Sequence, residues 1–213
     1  MKKIVLLLAV VFVGSTTFAQ NSKSILAELS EKAKGYTSIY AEYESTMISK
    51  INGLNEKQSG KIKIQGKKYN LELGKYNVIT NGVDIWSYSL NDNECSIDYL
   101  EDMEDDAFDP TKLFTIWEND FKHAFKEEVN VNGVKAYEIH LYPLNTDDSP
   151  YHTIKLFVDK VKLEIVKIEM KGRDATDYIY TVKSFQPNYK MDASDFIFNT
   201  SDHPGVEMID NRI

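Results

Sequence analysis

The chain of 213 residues contains a single cysteine, Cys95, and this scarcity excludes two common ways of stabilising a protein. One thiol cannot form a disulfide within the chain. A Cys/His zinc site built on a C-x-x-C pair is excluded as well, because it needs more than one thiolate. Cys95 alternates with Ile97 and Tyr99, which predicts a buried cysteine on a strand rather than a reactive thiol.

Basic residues are also few, since 25 lysines and arginines stand against 33 aspartates and glutamates and give a net charge of −8. Phosphate backbones repel such a protein, so we exclude nucleic acids as partners. The charge also disfavours loose adsorption to anionic lipid surfaces. The densest acidic run, Glu101 to Asp106, lacks the ligand spacing and the turn glycine of a calcium loop. We expect a solvated loop there, with docking to a basic partner as the alternative.

Recognisable catalytic and metal-binding motifs are missing from the chain. The four histidines, His123, His140, His152 and His203, are scattered, and neither H-E-x-x-H nor G-x-S-x-G occurs. We therefore expect a protein that is not an enzyme, with no catalytic residue, no metal and no cofactor.

One long apolar run stands out, and it lies at the start of the chain. Two lysines precede Ile4 to Val13, about ten residues, whereas a bilayer span requires about 20. Thr17 and Ala19 supply small residues at −3 and −1 of a cleavage site, so the pattern predicts a signal peptide over 1–19. A retained membrane anchor is the alternative. We expect residues 20–213 to form a single domain in the periplasm.

Two segments have the spacing of amphipathic helices. The first runs from Ser22 to Lys34 and ends at Gly35, a common residue after a helix C-terminus. The second begins at Asp109-Pro110, a capping residue followed by proline at the first helical position, and continues to about His123. Its apolar residues at helical spacing are Leu113, Ile116, Trp117 and Phe121.

Most of the remaining chain alternates between apolar and polar residues, which is the period of a strand with one buried face. About eleven strands are predicted, over residues 36–51, 57–65, 68–73, 76–80, 84–89, 94–99, 125–131, 134–142, 151–159, 162–171 and 176–186. The predicted fold class is α+β: a strongly curved antiparallel sheet that encloses its apolar face, with the helices as a lid. The pattern leaves open that side chains fill the interior completely.

Several motifs of this chain resemble those of the LolA family, the periplasmic carriers of outer-membrane lipoproteins. The stretch Ile79 to Tyr88 contains Asn81-Gly82 followed by Trp86-Ser87-Tyr88, which is similar to the family's hairpin and Trp-x-Tyr. Ala41-Glu42-Tyr43 resembles its first strand. Phe196-Ile197-Phe198 and the segment from Gly205 to Asp210 resemble its C-terminal end, so the resemblance spans nearly all of residues 20–213.

The sequence departs from the family at one characteristic position. The family's arginine, which ties the lid to the sheet, is expected just before Tyr69, where Gln65-Gly66-Lys67-Lys68 contains none. Lys67 or Lys68 replaces it only in part, because an ammonium group lacks the guanidinium fork.

The resemblance implies an incomplete β-barrel whose cavity binds lipoprotein acyl chains. It implies partners too: acylated lipoproteins, an inner-membrane lipoprotein-releasing ABC transporter as donor, and an outer-membrane acceptor that the sequence does not identify. We expect the carrier to be a monomer. The predicted lipid-binding residues are Ile39, Tyr43, Met47, Ile62, Ile64, Tyr69, Leu71, Leu73, Trp86, Tyr88, Leu113 and Trp117.

Other interpretations stay open at this point. The aromatic residues of this set also suit an ordinary core. The chain could be a LolA-like regulatory or sensor module, or a carrier of another lipid or hydrophobic small molecule.

Overall fold

The computed structural model describes residues 16–103, 110–112, 115–118, 120–147 and 149–212. Within these segments, one α-helix accompanies a single sheet of twelve strands. None of the helices described there has both the length and the apolar character that crossing a bilayer demands.

The helix and the first six strands lie in the first half of the chain. They are α1 (Thr16–Lys34), β1 (Ile39–Ser49), β2 (Leu54–Gln65), β3 (Lys68–Leu73), β4 (Tyr76–Thr80), β5 (Asp84–Ser89) and β6 (Glu94–Tyr99). The other strands are β7 (Phe121–Val131), β8 (Val134–Pro143), β9 (Tyr151–Asp159), β10 (Ile165–Gly172), β11 (Thr176–Pro187) and β12 (Glu207–Asp210). Short 3-10 turns occur at Leu100–Asp102, Pro110–Lys112, Ala193–Phe196 and Thr200–Asp202.

The sheet is open and curved, with the strand order β12-β6-β5-β4-β3-β2-β1-β11-β10-β9-β8-β7. Neighbouring strands are antiparallel, apart from β12, which runs parallel to β6. Two meanders, β1–β6 and β7–β11, therefore meet where β1 pairs with β11. The strands β12 and β7 form the two edges, and in the described residues they do not pair with each other.

The two faces of the sheet differ in polarity. We call the inner face the one on which α1 packs, and the outer face the opposite one. Register places Ala41 beside Ile62 of β2 and Phe185 of β11, all on the inner face. The outer face carries charged pairs such as Lys171 with Asp177, at 3.1 Å. This is the one-sided alternation that the sequence predicts.

Helix α1 covers only the part of the inner face formed by β7–β10. Its Leu26 and Leu29 are buried in a cluster with apolar side chains from these strands. The indole Nε1 of Trp117, in the same cluster, donates to the Ser30 hydroxyl at 2.9 Å. Lys32 pairs with Glu164 at 3.2 Å at the end of the helix.

The chain after β11 crosses the outer face of β2–β6. Phe196 is completely buried there, and the Asn70 side chain donates to the carbonyl of Asp195 at 2.9 Å. Lys63 pairs with the Asp195 carboxylate at 2.5 Å. The segment ends as β12 on the edge of β6, so it covers apolar side chains that would otherwise face solvent.

The predicted strands are confirmed. All eleven are present, and 68–73, 76–80, 84–89, 94–99 and 151–159 have the predicted bounds. The sequence missed β12, and it placed the start of α1 at Ser22 instead of Thr16. The predicted signal peptide lies mostly outside the described residues and stays a prediction.

The second predicted helix, Asp109 to His123, is wrong over its described part. Pro110–Lys112 is a 3-10 turn, and Phe121 already begins β7. His123 and Phe125 pair in register with β8, so contacts distant in sequence outweigh the local helical spacing. Leu113 lies outside the described residues.

Candidate functional site

An apolar cavity lies on the inner face where α1 does not cover it. It contains about 880 Å³ of empty space, part of it open to solvent. It is lined by Ala41, Tyr43, Ile62, Leu71, Leu73, Ile165, Ile168, Met170, Tyr180, Val182 and Phe185. These side chains come from β1–β3 on one side and from β10–β11 on the other.

The cavity exists because two apolar clusters of the inner face are not packed together throughout. One cluster lies under α1 and includes Ile168 and Met170, which also line the cavity. The other lies on β1–β5 and includes Ile39, Ile64 and Tyr69. The rings of Tyr36 and Phe185, 5.9 Å apart, connect the end of α1 with this second cluster. The space between the clusters is the cavity.

Two tyrosines give the cavity wall its remaining polar atoms. The Tyr43 hydroxyl donates to the carbonyl of Glu72 at 3.1 Å, and the Tyr43 and Tyr180 rings meet edge to face at 6.0 Å. Burial raises the pKa of Tyr43, and burial raises the pKa of Tyr180 to about 12. Both hydroxyls therefore stay protonated at neutral pH, and the wall is uncharged.

Gly60 determines where the Tyr43 ring lies. It is directly opposite Tyr43 on β2, and a Cβ there would lie only 2.5 Å from the Tyr43 hydroxyl and 2.6 Å from the Glu72 carbonyl. Without a side chain at this position, the Tyr43 ring lies across β2 and reaches β3. The ring is thereby kept against the wall instead of filling the cavity.

We expect Gly60→Ala to reduce the ligand affinity of the cavity by about tenfold, because the added methyl group displaces the Tyr43 ring into the empty space. Titration with an apolar fluorescent probe would measure the loss. Combining it with Tyr43→Ala should restore part of the binding, since the small side chain removes the clash with the ring, although not the one with the Glu72 carbonyl. A double variant that binds as poorly as Gly60→Ala would contradict this explanation.

Eight of the predicted lipid-binding residues share the inner face of β1–β3. Tyr43, Ile62, Leu71 and Leu73 line the cavity, whereas Ile39, Ile64 and Tyr69 pack deeper in the adjoining cluster. Met47 lies farther along β1, half-buried, and is not part of the lining. Whether the lining residues bind lipid is untested and stays a prediction.

Trp86 and Tyr88 do not belong to the cavity, because they lie on the outer face. Trp86 is opposite Ile79 on β4, and Tyr88 packs against Phe198, with ring centroids 5.2 Å apart. Alternation alone puts both residues on one face, but it does not say which. Trp117 is likewise outside the lining, because it is only 4% exposed beneath α1.

The sequence missed the lining contributed by β10 and β11. Ile168, Met170, Val182 and Phe185 are in correctly predicted strands, and their alternation was the available signal. The alternation does not show how far α1 extends along the sheet, and α1 leaves these residues uncovered. Cys95, predicted to be buried, is completely buried on the outer face, and burial raises the pKa of its thiol to about 11.

The lysines that take the place of the family's arginine do not tie α1 to the sheet. The Lys68 ammonium lies 5.4 Å from the ring centroid of Phe196 on the outer face. The helix is held instead by Trp117 and by the pair of Lys34 with Glu118, at 2.7 Å. Among the described side chains, no group of three His, Cys, Asp or Glu residues is arranged to hold a metal ion.

Solved structures share this fold, although no family model and no curated relative matches the sequence. An uncharacterised conserved protein from Thermus thermophilus aligns over 89% of this chain and 99% of its own, with a TM-score of 0.57 and 10% identity. The lipoprotein LppX from Mycobacterium tuberculosis aligns over 80% and 98%, with a TM-score of 0.50 and 13% identity. LprF from Mycobacterium bovis aligns over 83% and 97%, with a TM-score of 0.50 and 10% identity.

Likenesses at such low identity show the fold alone. The matches also include a LolA superfamily protein from Nitrosomonas europaea, at a TM-score of 0.41. The likeness to the structures with TM-scores of 0.50 and above confirms the fold that the sequence motifs predict, and the chain has a LolA-like fold.

Proposed function

We propose that this chain is an extracytoplasmic carrier, not an enzyme, and that it binds the acyl chains of lipoproteins in the inner-face cavity. The observation that carries the proposal is the cavity itself, an apolar and uncharged space that the surrounding side chains leave unfilled. The LolA-like fold and the predicted signal peptide agree with an extracytoplasmic place of action.

The energetics of lipid anchors explain why such a cavity is useful. Each methylene transferred from water to an apolar site gains about 0.8 kcal/mol, so an acylated protein hardly leaves a membrane unless its chains are sheltered. The aromatic rings and Met170 offer an adaptable wall rather than a rigid one. We propose that the carrier receives lipoproteins from an inner-membrane ABC transporter and releases them to an outer-membrane acceptor.

Probe binding tests the first half of this proposal. N-phenyl-1-naphthylamine, an uncharged dye that fluoresces in apolar surroundings, should bind the purified exported protein saturably, and a diacylated lipopeptide should displace it. The same peptide without acyl chains is the control and should not compete. A folded protein without saturable probe binding would contradict the proposal. Native mass spectrometry of the purified protein should find lipid that co-purifies with it.

Depletion of the protein in cells tests the second half. Proteomics of the separated membranes should find lipoproteins retained in the inner membrane. Normal sorting together with altered stress transcription would contradict lipoprotein transfer and favour a regulatory module. Normal sorting with loss of another lipid from the outer membrane would favour a carrier of that lipid.

A further inference from the structure

One side of β2 is unpaired where the strand extends beyond β3. The two strands pair only as far as Gly60, which lies opposite Leu73. One further hydrogen bond joins the Gly74 amide to the Ser59 carbonyl, at 3.2 Å. Pairing with β1, on the other side, continues to the first residue of β2. Among the described residues, no strand pairs with the β3 side of residues 54–58, which we call the open edge.

Alternation along β2 identifies the free backbone groups of the open edge. In an antiparallel ladder, successive residues direct their N–H and C=O groups to opposite neighbours. Because the Ser59 carbonyl points towards β3, the backbone groups of Lys57 and Asn55 point the same way. Residues 55–59 are exposed, so nothing in the described part of the chain covers these groups. The N–H and C=O of both residues are therefore available to an added strand.

The open edge lacks the features that protect most sheet edges from pairing. The edge strand β7 is bulged between Phe125 and Glu127 and packs against α1, whereas β12 is only four residues long. Residues 54–58 contain no proline and pair with β1 without a bulge. The Lys57 ammonium pairs with Glu44 at 3.6 Å, which turns it towards β1 and away from the open edge.

The apolar lining of the cavity runs beside the open edge. Tyr43 and Leu73, which both line the cavity, flank Gly60 in the last row that includes β3. The lining on β11 continues one row farther, because Tyr180 lies in the row of Gln58. An acyl chain in the cavity therefore lies next to the point where β3 leaves β2.

We propose that the open edge binds the peptide that follows the acylated residue of a lipoprotein, and that this peptide pairs with β2 as an added antiparallel strand. The inference rests on the proposed binding of acyl chains in the cavity and adds a site for the protein part of the cargo. A peptide whose acylated N-terminus lies beside Leu73 runs outward along the open edge, opposite to the direction of β2. It takes the position that β3 vacates.

Pairing through the backbone suits a carrier of many different lipoproteins. Main-chain hydrogen bonds hold an extended peptide whatever its side chains are, whereas side-chain pockets select particular sequences. From Ser59 to Leu54 the strand is about 17 Å long, at about 3.4 Å per residue, so it accommodates about five residues of cargo.

Two N-methylated lipopeptides test the inference on the unmodified protein. Both consist of a diacylated cysteine followed by the same five residues. One carries methyl groups on the amide nitrogens of the second and fourth of these residues, and the other on those of the third and fifth. Only one set can face β2, because successive amides point to opposite sides and the acyl anchor fixes the register. We expect one peptide to displace N-phenyl-1-naphthylamine at least about tenfold less well than the other, through the loss of two hydrogen bonds.

The outcomes separate this inference from the proposed function. Equal displacement by the two methylated peptides would overturn the added strand and leave the carrier standing. An unacylated peptide that binds as tightly as the lipopeptide would overturn the assignment of the open edge to acylated cargo. Failure of the dye itself to bind saturably would instead overturn the proposed function.

Lys57→Pro tests the position of the added strand. Proline removes the free N–H of this residue, and an edge tolerates proline where the N–H faces solvent, because no ladder bond is lost. The reference is Lys57→Ala, which removes the same side chain but keeps the N–H. Relative to it, we expect Lys57→Pro to bind the unmethylated lipopeptide about tenfold more weakly and a diacylglycerol with the same acyl chains equally well.

Thermal unfolding checks that both variants are folded. Equal lipopeptide affinities of the two folded variants, or an equal loss of diacylglycerol binding in Lys57→Pro, would place the peptide away from the open edge and overturn the inference. If Lys57→Pro does not fold, the methylated peptides decide alone.

Discussion

Leu71→Glu is expected to lower the affinity for an apolar probe at least about a hundredfold while the protein still folds cooperatively. Leu71 lies in the lining, between Ile62 of β2 and Val78 of β4, so the new carboxylate would lie where acyl chains are proposed to bind. An unpaired carboxylate in contact with an acyl chain costs several kcal/mol, which exceeds the gain from a few methylenes.

The fold should tolerate this charge because Leu71 is only half-buried and faces a space that is open to solvent. Water can therefore solvate the carboxylate in the empty protein. Leu90→Glu is the matched control, because Leu90 is 57% exposed in the turn between β5 and β6. Probe titration and thermal unfolding on the same samples would decide the matter. Loss of cooperative unfolding would indicate a packed core at Leu71, and unchanged binding in a folded variant would place the ligand site elsewhere.

The strands could be predicted from the sequence because their information is local. Tyr69, Leu71 and Leu73 alternate with Asn70 and Glu72, and this period of two already defines β3 and its apolar face. The predicted bounds agree with the structure for 68–73, 76–80, 84–89, 94–99 and 151–159.

The sequence did not predict which apolar side chains lie on the inner face and which on the outer face, because this depends on what covers each side of the sheet. Trp86 and Tyr88 lie under the C-terminal segment around Phe198, which arrives from more than a hundred residues away in sequence. A period of two is symmetrical between the faces, so no local pattern distinguishes this outer cover from the cavity. The strand β12 was missed for a related reason: its four residues are all exposed and carry no burial signal.

The composition of the site depends on the position of α1. Ile168 and Met170 line the cavity and also pack in the cluster under the helix. A sequence pattern marks such residues as apolar and inward, which is equally true of a filled core. The difference lies in how far along the sheet the helix reaches, and tertiary packing determines this.

Trp117→Ala is expected to destabilise the protein by about 3–5 kcal/mol and to leave probe binding to the folded protein nearly unchanged. The sequence places Trp117 in a lid over the ligand, whereas the structure buries it between α1 and the sheet, 4% exposed. Truncation of a buried tryptophan creates a large cavity in a packed region, which accounts for the magnitude. The indole also donates to Ser30, and its loss leaves that buried hydroxyl without this donor.

Trp117→Phe separates packing from hydrogen bonding. A phenyl ring retains most of the apolar contact with Leu26 and Leu29 but cannot donate to Ser30, so we expect a smaller loss of about 1–2 kcal/mol. Chemical denaturation measures both losses, and probe titration at a temperature where each variant is folded measures binding. Trp117 is absent from the lining. A role as a lid over the ligand and a role in packing α1 on the sheet therefore predict opposite results for Trp117→Ala. A stable Trp117→Ala protein that no longer binds the probe would show that this residue covers the ligand. An unstable protein that binds the probe normally would show that Trp117 anchors α1 to β7–β10 and thereby keeps the helix away from the cavity.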